Sequence, residues 1–257
     1  MADWDGALYE KVNALQQWLA ARSLSGLQLR GDERLLDVGC GDGQVTAVLA
    51  ERLPTGSVLG IDASPRMVET AREHAVAGGR LQFDAGDVLT MPFVAEFDVI
   101  VSFNVLHWVR DQRRAFGRIG VALRPGGWAL LQFVCGGARP SLETSAMQVC
   151  RAPRWRSWFD DFPPPFVHPA PDDVRAVADA AGFQISELAV DDLTWDFGTP
   201  TDFARWCRVG FSAWMSRLPD DATADAFVDD VAAAYGQVTG SRQLFRFRQL
   251  RTVLRQE

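Results

Sequence analysis

Residues 35–43, LLDVGCGDG, join a buried-looking apolar run to an acid, Asp37, and then to glycine at every second position, Gly39, Gly41 and Gly43. Two kinds of ligand could use such a turn. A dinucleotide needs G-x-G-x-x-G, with its pyrophosphate on the N-terminus of the following helix. Here the third glycine position holds Gln44, and Asp37 stands close enough to repel a pyrophosphate. A carboxylate at that place suits a ligand that brings a cation, such as the ammonium of an amino-acid moiety, while the bare glycine backbone lets the ligand lie against the turn. Two further acids end apolar runs in the same way, Asp62 in GIDAS and Asp87 in AGDVLTMPF. Either one alone reads equally as a turn or cap residue.

The elements that must hold these acids alternate. Short, nearly continuous apolar runs at 34–38, 57–61, 81–85, 97–103 and 128–134 read as strands covered on both faces, and helices fit 43–52, 65–77 and 111–123. Ser64-Pro65 supplies a cap and a first-turn proline. Such alternation predicts a parallel sheet with right-handed crossovers, which binds ligands at the carboxyl ends of its strands. After 135 the rhythm changes. A helix is expected over 172–181 and a strand over 183–190. Phe203, Trp206, Cys207, Gly210, Phe211 and Trp214 form one stripe of a helix over 201–217, and a second helix follows at 222–235. Residues 244–254 alternate as a half-exposed edge strand, and the Pro-rich 162–171 reads as an extended connector.

Taken in order, these landmarks resemble the class I S-adenosylmethionine-dependent methyltransferases. The match covers about residues 30–135: the acid and glycine loop, the acid ending strand two, the acid in AGDVLTMPF and the turn LRPGG at 123–127. The resemblance implies an α/β fold, a Rossmann-like sheet that is mostly parallel with one antiparallel strand near the C-terminus, and a helical lid. It implies S-adenosylmethionine as cofactor, S-adenosylhomocysteine as product and no metal. It places Asp37, Gly39, Cys40 and Gly41 at the methionine end. Asp62 and Ala63 fall at the ribose, Met67, Asp87 and Val88 at the adenine, and Asn104 beside the methionine portion. Cys40 itself reads as a small buried filler.

The block FDVIVSFNVLHWVRDQRRAF, 97–116, and LYEKVNALQQWL, 8–19, are similar to the group of juvenile hormone acid and trans-aconitate methyltransferases. That similarity implies a carboxyl O-methyltransferase organised as an N-terminal lid helix (1–25), a cofactor-binding core (26–136) and a C-terminal part (137–257), with a helical cap inserted at about 140–170 and 192–240. His107 and Trp108 are the candidate catalytic residues. His107 reads as a buried histidine, as a donor to an acceptor carboxylate, or as a modest base for a hydroxyl. Tyr9, Gln16, Trp158, Phe162 and Trp206 are candidates for the lid and acceptor pocket, in a cap region rich in Trp and Phe. A polyacid would require convergent cations from Arg151, Arg154, Arg156, Arg205 and Arg208. An apolar monoacid is favoured. C- or phenol O-methylation, with His107, Glu143 or His168 as base, stays open, as does a non-catalytic cofactor-binding regulator.

Composition sets the remaining expectations. The net charge of -7 argues against nucleic acid or an anionic membrane as partner. No run approaches the roughly 18 apolar residues of a membrane span. Asp3, Asp5 and Glu10 do not fit a signal peptide, so the expected location is cytoplasmic. The four cysteines form no CxxC pair and the three histidines no HExxH spacing, which points away from disulfides and metal. The partner expected is a small-molecule acceptor, with the chain a monomer or homodimer.

Overall fold

The computed structural model of the protein describes residues 14–75 and 79–256. Strand β1 (Arg34–Val38) is buried at every position but its first, because both faces of the sheet around it are covered. It pairs in parallel with β2 (Ser57–Asp62) on one side and β4 (Phe97–Phe103) on the other. β3 (Leu81–Ala85) continues beyond β2, and β5 (Leu123–Val134) beyond β4. The full order is β3-β2-β1-β4-β5-β7-β6. The chain therefore reverses its direction of travel across the sheet at β1, and a crevice lies at the carboxyl ends of β1 and β4.

Helices α2 (Gln44–Glu51), α3 (Pro65–Ala71) and α4 (Gln112–Ala122) belong to this half of the molecule, and α1 (Ala14–Ser25) precedes β1 in the chain. The expected helix over 65–77 is shorter: α3 closes at Ala71 and a 3-10 turn takes Arg72–His74. Ser64 caps α3, its hydroxyl accepting from the Met67 N–H at 3.3 Å. Of the N-terminal helix expected over 8–19, the structure describes Ala14 onward and carries the helix on to Ser25, while Tyr9 lies outside the described residues.

The C-terminal strands depart from expectation in an informative way. β7 (Leu244–Gln256) is antiparallel to β5 and also to β6 (Phe183–Asp196), so it is an interior strand and β6 forms the edge. Period-two alternation reports the two faces of a strand and is silent about its neighbours, which is why an edge was expected. β6 also runs past 190 to Asp196. Beyond Gln249, where pairing with β5 stops, β6 and β7 continue as a two-stranded arm through Asp196↔Leu244. That arm carries Trp195, Phe245 and Phe247 into the cap.

The cap is built from α5 (Leu142–Cys150), α7 (Pro200–Gly210), the short α8 (Ser212–Met215) and α9 (Asp221–Thr239), while α6 (Pro171–Ala180) packs on the sheet. Trp155, Trp214, Tyr235, Phe203 and Phe227 are fully buried at its centre. Leu15 and Leu19 of α1 pack into this same cluster and not into the sheet core. The helix expected over 201–217 is broken at Phe211, where the backbone leaves helical geometry. That break turns Gly210, Ser212 and Ala213 toward the crevice.

Candidate active site

At the end of β1 the Asp37 side chain is 2% exposed, and its Oδ2 accepts the Thr46 hydroxyl at 2.7 Å. Burial drives its pKa up to about 7. Gly39 follows at φ +78°, and a β-carbon there would stand 2.2 Å from the Val105 side chain, so only glycine lets the β1 and β4 loops meet. Gly43, at φ +83°, caps α2. A β-carbon on it would come 2.8 Å from Ala71, so this glycine brings α2 close to α3.

Asp62 closes β2 and ties the two loops together. Its Oδ2 accepts the Gly41 N–H at 3.0 Å and its Oδ1 the Ser64 N–H at 2.8 Å. Burial raises its pKa against the lowering effect of these bonds. The Cys40 side chain is buried and its thiol is pushed far up by burial and by Asp37, which makes it an unreactive filler.

A cavity of about 210 Å³ occupies the crevice, walled by Asp37, Gly39, Cys40, Gly41, Asp62 and Met67 on the sheet side and by Gln16, Gln17, Trp108 and Gly210 opposite. Gln17 clasps α1 to the mouth of this cavity, its Nε2 donating to Gln44 Oε1 at 2.7 Å. Deeper under the cap lies a second cavity of about 80 Å³. Leu15, Leu19, Val134, Trp206, Val209, Phe211, Phe245 and Phe247 give it apolar walls, and its ionisable groups are His107 and Glu143. The two cavities meet at Gln16, Asn104, Trp108 and Gly210, which line both.

The junction is held from below by β4. Asn104 follows the strand in the left-handed region at φ +59°, a conformation asparagine tolerates. Its Oδ1 accepts from Gln249 Nε2 of β7 at 2.7 Å. His107 and Trp108 occupy the 3-10 turn Leu106–Trp108 that comes next. The His107 carbonyl accepts the Val167 N–H at 2.8 Å, which ties the Pro-rich connector to the turn. The His107 ring is buried, its Nδ1 has no hydrogen-bond partner, and His168 lies 6.0 Å away between ring centroids. Burial first, and His168 second, push the His107 pKa well below its ordinary value, so the ring is neutral at pH 7.

Comparison with known proteins agrees with this architecture. Residues 35–127 match the model of the methyltransferase domain family. The chain is 34% identical over 203 residues to the juvenile hormone acid O-methyltransferase of Bombyx mori, covering 72% of this chain and 71% of that protein. The chain belongs to the class I S-adenosylmethionine-dependent methyltransferases. It falls in the group that also contains a trans-aconitate 2-methyltransferase of Methylobacterium radiotolerans, 27% identical over 274 residues and 99% of each chain. Among solved structures, the YcgJ protein of Bacillus subtilis superposes with a TM-score of 0.66 at 17% identity, over 94% of this chain and 99% of that one.

Within this methyltransferase, Asp37, Gly39, Cys40, Gly41, Asp62, Met67 and Asn104 all line the larger cavity. Ala63 is half-buried beside Asp62. Asp87 and Val88 stand off the cavity wall: Asp87 Oδ1 accepts the Leu89 N–H at 2.9 Å, and Val88 is buried in the sheet core. Trp206 reaches the smaller cavity. Trp158 and Phe162 line neither and pack instead within the cap, on Trp155 and on Phe159 and Trp214. None of Arg151, Arg154, Arg156, Arg205 and Arg208 reaches either of these two cavities. Arg154, Arg205 and Arg208 pair with exposed aspartates. Four contributors escaped the sequence reading. Thr46 and Gln249 orient Asp37 and Asn104 across the fold, and Phe245 and Phe247 lie on the alternating face of β7, a signal present in LFRF.

Proposed function

We propose that this methyltransferase esterifies a small apolar acid, transferring the methyl group of S-adenosylmethionine to its carboxylate. The observation that carries the reading is the smaller cavity: apolar walls, no arginine or lysine among its described lining residues, and direct continuity with the larger one. Three carboxylates of a trans-aconitate would find no cation there, whereas a single carboxylate held at the junction leaves its apolar body against Trp206, Phe245 and Phe247.

The larger cavity suits the cofactor on its own terms. Asp37, buried and bonded by Thr46 alone among the described residues, suits an amino-acid ammonium, and Asp62 stands ready for a diol. Gly39 and Gly41 leave room for close approach. In this reading Asp87 and Val88 receive the adenine by a slight adjustment of the loop after β3.

When bound, the cofactor supplies a methyl group on a positively charged sulfur. A carboxylate is already ionised at pH 7, so attack needs no proton removal. The neutral, weakly basic His107 agrees with that, since it is poorly matched to deprotonating a phenol. The chain positions and desolvates. Gln16, whose buried Oε1 has no partner among the described residues, can turn its amide N–H toward the acceptor oxygen. Trp108 lines both cavities, and His107 lines the smaller one. Holding the reacting atoms in line contributes up to about 7 to 11 kcal/mol.

The test is incubation with S-adenosylmethionine and a panel of apolar acids, phenols and prenyl compounds, followed by mass spectrometry. A gain of one methyl on acids, as an ester cleaved by alkali, is the expected result. Methylation confined to phenols or carbon would replace this reading.

A further inference from the structure

One charge in the smaller cavity has no role in methyl transfer as described above. Glu143, in the first turn of α5, is 5% exposed and lies on the cavity wall. Its Oε2 has no hydrogen-bond partner among the described residues. His168 Nε2 stands 3.8 Å from it, too far for a hydrogen bond and itself unpartnered among the described residues. Burial lowers the His168 pKa in spite of the raising effect of Glu143, so the imidazole is neutral at pH 7. His107, on the same wall, is neutral as well.

A buried carboxylate on the wall of an apolar cavity acts on a ligand in two ways. It repels a second carboxylate, because unit charges a few ångströms apart in a poorly screened interior interact strongly. It accepts a hydrogen bond from a hydroxyl, and such charge-assisted bonds are the strong ones. The repulsion also disfavours placing the methylated carboxylate against Glu143.

We infer that Glu143 is the specificity-determining residue of the acceptor cavity, selecting an apolar monoacid that carries a hydroxyl remote from the methylated carboxylate and rejecting diacids. The hydroxyl donates to Glu143 Oε2 while the carboxylate waits at the cofactor end. This rests on the carboxyl reading above, and it adds the chemistry of the acceptor's other end. It also gives a physical reason for this chain to differ in acceptor from a relative named for a tricarboxylate, since every extra carboxylate would be driven against Glu143.

The experiment uses matched trios that differ only at the far end: dodecanoate, omega-hydroxydodecanoate and dodecanedioate, with the same trio at shorter chain lengths. Wild-type enzyme should show the highest kcat/KM for the hydroxy acid, about tenfold over the plain acid at the best length, and the lowest for the diacid. Glu143→Gln keeps the shape and removes the charge. It should compress the hydroxy preference to within about threefold and raise turnover of the diacid, with the melting temperature and S-adenosylmethionine affinity confirming an intact fold. Equal kcat/KM for hydroxy and plain acid at every length, together with no change in diacid rejection in Glu143→Gln, overturns this inference while ester formation leaves the carboxyl reading standing. Absence of ester from every acid, or an alkali-stable ether on the hydroxyl, overturns the carboxyl reading and the inference with it.

Discussion

The two cavities that meet at Asn104 and Trp108 are made of different materials. The side proposed for the cofactor is a matter of strand ends: Asp37, Gly39, Gly41, Asp62 and Met67 come from a stretch of about thirty residues, where the Asp62 carboxylate accepts backbone N–H groups of Gly41 and Ser64. The acceptor side gathers Leu15 from α1, Val134 from β5, Glu143 from α5, Trp206 from α7 and Phe247 from β7. Chemistry needing a fixed charge pattern is written locally, where the turn after one strand must face the turn after the next. Shape selectivity is assembled from the whole chain, where any one side chain can change without disturbing the sheet. This is how one cofactor site can serve many acceptors.

The sharpest way to break that contrast is at Asp62. Asp62→Ala removes two charge-assisted acceptors worth roughly 1.5 to 3 kcal/mol each, and also frees the Gly41 and Ser64 N–H groups. Calorimetry should show S-adenosylmethionine affinity falling by about a hundredfold or more, and an unchanged affinity would remove Asp62 from the cofactor site. The next effect is one of pH. Asp37 must be ionised to hold an ammonium, and burial sets its pKa near 7 in the free protein. Cofactor affinity should therefore rise by up to about tenfold per pH unit from pH 5 to 7 and then level off. Because the folded pKa lies above the unfolded one, the same group takes stability away from the unliganded fold as pH climbs from 4 to 7. Asp37→Asn should flatten both trends, and a slope that survives it would assign the proton to another group. The smallest effect belongs to the acceptor side. Trp206→Ala removes a wall stacked near Phe245 and Phe197. It should raise KM for an apolar acid by about tenfold, near 1.4 kcal/mol, while cofactor affinity stays within about twofold. Equal losses in both constants would show that the two cavities are not energetically separate.

Legibility followed the same division. β1, β2, β3 and β4 stand where the apolar runs placed them, and the loop acids with them, because a strand buried on both faces leaves a continuous signature. Trp158 and Phe162 show the opposite case. An aromatic residue in a cap can face its core or a ligand, and spacing along one helix does not distinguish them. The interior place of β7 was likewise hidden, since strand pairing across the sheet has no local mark in the chain.

The sequence by itself determined the parallel half of the sheet and the charge pattern of the turn after β1, both consequences of burial and backbone sterics acting over a few residues. Only the tertiary structure decided that Gln249 orients Asn104, that the β6–β7 arm furnishes the floor of the cap, and that Glu143 ends buried beside a neutral His168. Those contacts join residues up to 145 positions apart. They exist because hydrophobic burial folds the cap onto the sheet, and burial is also what gives a lone carboxylate the strength to select a ligand.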